Sequence, residues 1–155
     1  MVTFLELSEK DQRNIKDFKE GRINFDVFKN VSKKISEEFF NYILVNGFPF
    51  KNSVSDEEYR AGISLSLHLP LEHLKKIFLE IEKAPSDEID LKYKAYFIDK
   101  IRIGEGSPQL YGTQIKKNEC GKVELFEVED MNNLDKRRNE MGLESVDEYL
   151  KNFDK

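Results

Sequence analysis

Tryptophan is missing from this 155-residue chain, and cysteine occurs once, at Cys120. A lone cysteine closes no intramolecular disulfide, and no Cys/His spacing resembles a zinc site, so a reducing, cytoplasmic setting is expected. No apolar run approaches the roughly 20 residues that span a bilayer. The opening MVTFLELSEKDQRN has neither the basic start nor the long apolar stretch of a secretory signal. A basic stripe is lacking too: 25 Lys and Arg stand against 30 Asp and Glu, for a net charge of -5. The one basic spot, at 136–138, is flanked by Asp130, Asp135 and Glu140. Phosphate backbones demand clustered Lys and Arg, so neither nucleic acid nor a membrane is an expected partner.

Several familiar chemistries are absent as motifs. The chain holds no GxSxG elbow, glycine-rich phosphate loop, dinucleotide fingerprint, His-Glu-x-x-His helix or Glu-x-x-His pair. Cys120 falls in a turn with no base beside it, an unpromising nucleophile. Neither a metal nor a cofactor is expected.

What is present is aromatic bulk and legible punctuation. Twelve Phe and six Tyr supply a core, and the length suits one domain over 1–155 that needs no disulfide or metal staple. Ser8 with Asp11, Ser55 with Glu58 and Ser145 with Glu148 are spaced as helix starts, while Gly21 and Gly47 stand as stops. Helices are predicted near 9–20, 26–46 with a break around 32–36, 56–69, 71–83, 87–103, 132–141 and 146–153. The helix over 56–69 is apolar on both sides, Tyr59, Ile63 and Leu67 opposing Ala61 and Leu65, and should be buried; His73, on the polar face of the next helix, should be exposed.

Between Tyr111 and Val128 the period switches to two, with Asn118 and Gly121 able to turn a hairpin. The fold class expected is therefore mainly α, with one two-stranded β-hairpin over about 109–128. That hairpin is odd for so charged a protein. Gln109, Tyr111, Thr113 and Ile115 would share one face and Leu110, Gly112 and Gln114 the other, so uncharged polar groups point inward whichever face is buried. Buried polar groups need partners, which suggests a site.

Each candidate residue has a plain structural alternative. His68, near the end of the buried helix, is placed as a general acid or base, or as a core histidine satisfied by a carbonyl or carboxylate. Asp99, among Ala95, Tyr96 and Ile103, is a pocket acid or orienter of His68, or a surface partner of Arg102. Arg137 and Arg138 border the Leu134 and Met141 stripe, where they could fork onto an anion or tie the C-terminal segment to acidic residues such as Asp130, Asp135 or Asp11.

The order of Gly47-Phe48-Pro49, a helical His68, a helix bearing Asp99, the string QLYGTQ from Gln109 to Gln114, and DKRRNEMGL from Asp135 to Leu143 resembles a bacterial family with no established activity, described by a QLYGTQ motif and a DxRRxxMGL motif. The resemblance spans nearly the whole chain. It departs from the family's pattern at Leu67, where Gln is usual, and at Lys100, where Arg is usual. It implies that His68, Asp99, Gln109, Tyr111, Gly112, Thr113, Gln114, Asp135, Arg137 and Arg138 belong to one shared set.

Two functional readings follow. In the first, a small enzyme does metal-independent acid/base chemistry on a small polar or anionic ligand: His68 moves the proton, Asp99 assists, Arg137 or Arg138 holds the anion, and Gln109, Tyr111, Thr113 and Gln114 supply neutral hydrogen bonds. In the second, a binding module of regulatory or immunity-like type meets a basic protein partner with its acidic surface, the same residues forming an internal network.

Overall fold

The computed structural model describes residues 3–153. It is mainly α-helical with one two-stranded antiparallel hairpin, as the sequence predicts. The chain forms two compact units, one up to Glu88 and one from Ile89 onward.

The first unit holds α1 (Phe4–Lys19), α2 (Phe25–Asn46), α3 (Asp56–Leu67) and α4 (Leu71–Lys83). The start of α1 differs from expectation. Thr3, not Ser8, is the cap: its hydroxyl accepts the Glu6 N–H and the Glu6 carboxylate accepts the Thr3 N–H, which adds about one and a half turns to the helix. Those bonds hold the Glu6 carboxyl below its ordinary range. The second helix runs unbroken through 32–36 and stops at Gly47, whose φ of 83° a side chain would resist.

The two-sided burial predicted for α3 is present. Ser55 and Glu58 form its capping box, and Tyr59, Ala61, Gly62, Ile63, Leu65 and Ser66 are all buried. Gly62 is where the chain crosses closest, because a Cβ there would lie 2.3 Å from Cγ of Pro49. The first helix packs against both α2 and α3. His73 departs from its expected exposure: it is half-buried and stacks face to face on Phe40, with ring centroids 3.9 Å apart and an interplanar angle of 2°. An aromatic neighbour on α2 outweighs the polar stripe it shares on α4.

The second unit holds α5 (Leu91–Gly104), β1 (Ile115–Lys117), β2 (Val123–Leu125), a short 3-10 turn (Met131–Asn133), α6 (Leu134–Glu140) and α7 (Val146–Lys151). Ile115 pairs with Leu125, Lys116 with Glu124 and Lys117 with Val123. Asn118 turns the hairpin by accepting the N–H groups of Cys120 and Lys122, and Gly121 takes φ 77°. The strands are much shorter than the period-two pattern suggests, because residues 109–114 are not a strand. No helix among the described residues is long and apolar enough to cross a membrane.

Candidate functional site

The reason 109–114 leaves the sheet lies on α5. Asp99 is wholly buried, flanked along the helix by buried Ala95 and Phe97, and it meets the returning chain with its carboxylate. Gly106 (φ 77°) reverses the direction after α5, and Arg102 holds the turn by donating from Nε to the Pro108 carbonyl at 2.7 Å. Beyond it the backbone curls around Asp99. Oδ1 accepts the N–H of Leu110 at 2.8 Å and of Tyr111 at 3.0 Å; Oδ2 accepts the Thr113 N–H at 3.0 Å and its hydroxyl at 2.8 Å. A curl this tight needs Gly112, whose φ is 63° and whose missing Cβ leaves room for Leu134 and Leu125 at 3.2 and 3.3 Å.

The carbonyls on the other side of the same loop are taken by side chains of α6 and α7. Arg137 donates from Nε to the Leu110 carbonyl at 2.8 Å and from Nη2 to the Asp130 carbonyl at 2.6 Å. Arg138, only 1% exposed, donates from Nη1 to the carbonyls of Tyr111 and Gly112 at 2.8 and 3.1 Å and from Nε to that of Glu144 at 2.6 Å. Its guanidinium lies 4.9 Å from the centre of the Tyr149 ring, and the Tyr149 hydroxyl donates to the Thr113 carbonyl at 2.7 Å. Gln109 closes the loop as a substitute for backbone: its amide exchanges two bonds of 2.9 Å with the main chain of Gln114 and gives a third to Phe126.

From Leu110 to Gln114, four N–H groups and all five carbonyls are bound by these side chains. Only the Gly112 N–H stands outside that set. A buried anion and a buried cation thus grip the two sides of the same peptides, linked through the loop. The arrangement suits both charges, since each is met by several hydrogen bonds.

Seven of the eight candidate residues therefore gather in this unit: Asp99, Gln109, Tyr111, Thr113, Gln114, Arg137 and Arg138. They gather as a clasp on backbone. Tyr111 contributes its main chain, and its half-buried hydroxyl is pushed up by burial and then by the Asp99 charge. The eighth, His68, belongs to the first unit. It caps the C-terminus of α3 with its side chain 40% exposed, where a core histidine was one expectation. Its Nδ1 lies 2.8 Å from Oδ2 of Asp11, a carboxylate that is almost wholly buried. The expected pairing of Asp99 with Arg102 is not made: Arg102 pairs with Glu129.

Sequence reasoning gave Asp11 other parts, as a helix-start partner of Ser8 and an acid for Arg137 or Arg138, and passed over Tyr149; Asp11 pairs instead with His68. Asp11 had a signal, because Phe4, Leu7, Asp11 and Asn14 are the buried stripe of α1 at three- and four-residue spacing. A carboxylate in an apolar stripe announces a buried partner. Tyr149 had none beyond an aromatic in a short amphipathic segment. Among the described residues no group of three or more His, Cys, Asp or Glu is placed to hold a metal.

Burial, with Tyr96 as the next cause, holds the Tyr149 hydroxyl well above its ordinary range. The unfolded phenol ionises near 10.0 while the folded one stays protonated. That stability is fully present below this pH and lost as pH rises through it. Thermal melts across pH about 8 to 11 should show a Tm that falls above about 10, and Tyr149→Phe should flatten part of the fall. An unchanged slope in the variant would remove Tyr149 as a titrating group.

No protein-family model, no curated protein and no solved structure matches the chain.

Proposed function

We propose that this chain is a non-enzymatic binding protein whose acidic surface meets a basic protein partner, in the manner of a regulatory or immunity-like module. One observation carries the reading. Asp99, Gln109, Arg137 and Arg138 bond the main chain of their own unit, with the Thr113 hydroxyl on the Asp99 carboxylate, and this use of the polar string as scaffold supports the binding reading over a ligand cradle. The resemblance to the QLYGTQ and DxRRxxMGL family fits the same view, since both strings are the two halves of that clasp. The net charge of -5 favours a basic partner.

Affinity capture with the whole chain should return a basic protein at fixed stoichiometry. Its retention should fall at least about tenfold between roughly 0.05 and 0.5 M salt, because exposed charges more than a Debye length apart are screened over that range. A partner whose retention ignores salt would count against the reading.

A second reading rests on the Asp11–His68 pair. A buried carboxylate fixing Nδ1 leaves Nε2 of a 40% exposed imidazole free to take or give a proton. In that reading the chain is a small acid/base enzyme acting on a small polar or anionic molecule, and Asp11 takes the orienting part expected of Asp99. Native mass spectrometry of the freshly purified chain against its denatured mass separates the two. A co-purifying small molecule lost in His68→Ala would put the enzyme first.

A further inference from the structure

The hairpin has two outer edges, and they differ. On β1 the exposed Lys116 and Lys117 blunt the edge, the usual protection against strand addition. On β2 the backbone parity can be read from the ladder. The Asn118 N–H bonds to the Lys122 carbonyl and the Phe126 N–H to the Gln114 carbonyl, with Lys116 facing Glu124 between them. Lys122, Glu124 and Phe126 therefore turn their peptide groups toward β1, and Val123 and Leu125 turn theirs away.

The same outer side is already in use two residues further on. Gln109 donates its N–H to the Glu127 carbonyl at 2.9 Å and accepts the Glu129 N–H at 3.0 Å, a one-residue parallel strand beside Val128. A groove of about 690 Å³ borders β2, walled by Val123, Leu125, Val128, Met131, Val146 and Leu150. Met131 is 56% exposed in it, and the exposed acids Glu127 and Asp147 also line it.

From this juxtaposition we propose that the outer edge of β2 takes an extended segment of the basic partner as a third strand. Its N–H and C=O groups would pair with Val123 and Leu125, alternate apolar side chains would enter the groove, and a Lys or Arg closing that same row would meet Glu127 and Asp147, which line the groove with Val123 and Leu125. The inference rests on the binding reading above and names the chemistry of its partner. The Asp99 clasp acquires a purpose in it, because it holds Gln109 at the end of the edge and fixes where an added strand must stop.

The test is selection of a displayed library of random octapeptides on the full chain. Recovered sequences should carry apolar residues at every second position with a Lys or Arg closing that row, and N-methylation of every second residue should abolish binding in one parity only. Val123→Pro removes an edge N–H that the β1 ladder does not use, and should weaken selected peptides about tenfold or more. Because that variant depends on an intact hairpin, amide exchange in the unmodified chain is the second measurement: bound peptide should slow exchange at Val123 and Leu125. Equal binding to Val123→Pro with unaltered exchange at both amides overturns the edge and leaves the acidic-surface reading standing. Recovery of no sequence with apolar residues at every second position and a Lys or Arg closing that row also overturns it, while salt-dependent capture of a partner decides the broader reading separately.

Discussion

Asp99→Asn should cost about 4 kcal/mol of stability in the second unit, a loss at the severe end of what single substitutions produce. The carboxylate accepts three backbone N–H groups and one hydroxyl at 2.8 to 3.2 Å with no solvent to replace it. Asparagine is nearly the same size, so packing is preserved and the effect isolates hydrogen bonding. Its single oxygen can serve one side of the curl, and its amide then points two donors at N–H groups that are donors themselves. Each orphaned buried donor costs about 1–3 kcal/mol, and the Arg138 charge loses the anion across the loop. The check is amide exchange resolved by residue, since an unfolding curve would merge two units. Leu110, Tyr111 and Thr113 should lose protection by two or more orders of magnitude, with α1 to α4 as the internal reference. Protection within a factor of three of the parent would mean that the loop holds without its anion.

How much of this was legible follows from the range of each interaction. The capping box at Ser55, the Asn118–Gly121 turn and the two-sided burial of α3 are settled by residues within a turn of one another, and local rules find them. The extent of the hairpin is not local. Residues 109–114 alternate as a strand would, yet a carboxylate 11 to 14 residues earlier draws three of their N–H groups to one point. Nothing in the alternation reports that. The uncharged character of Gln109, Tyr111, Thr113 and Gln114 goes with polar groups that bind the loop's own backbone and the Asp99 carboxylate. Arg137 and Arg138 were placed rightly beside the Leu134 stripe. Their hydrogen-bond acceptors are carbonyls, with Arg137 also paired to the Asp130 carboxylate at 3.6 Å, because a loop that turns three N–H groups toward an anion turns its carbonyls outward, and these need donors. His68 was visible as a helical histidine, but its partner on α1 lies 57 positions away, and its exposure follows from its place just past the last turn of α3.

Arg138→Met should be nearly as damaging, about 3–5 kcal/mol, through the opposite face of the same loop. Methionine fills much of the space above the Tyr149 ring and keeps the apolar contact, so the loss again reads out polar groups: the carbonyls of Tyr111, Gly112 and Glu144 are left without a donor. The informative comparison is the double variant with Asp99→Asn. If the two charges act on one another through the peptides they share, the pair should cost less than the sum of the singles by about 1–3 kcal/mol, since removing the second charge also removes the penalty of leaving it alone. Strict additivity would mean two independent anchors that happen to hold one loop. Arg138→Lys refines the picture, because an ammonium keeps the charge but cannot reach the Glu144 carbonyl and the Tyr111 and Gly112 carbonyls as a planar fork does. A loss between those of the parent and the methionine variant is expected. It should appear as faster exchange at the N–H groups of residues 110–114 with α5 unchanged, because the fork joins the loop to the segment after α6. Restoration of full protection by lysine would assign the whole of Arg138's effect to its charge and none to its geometry.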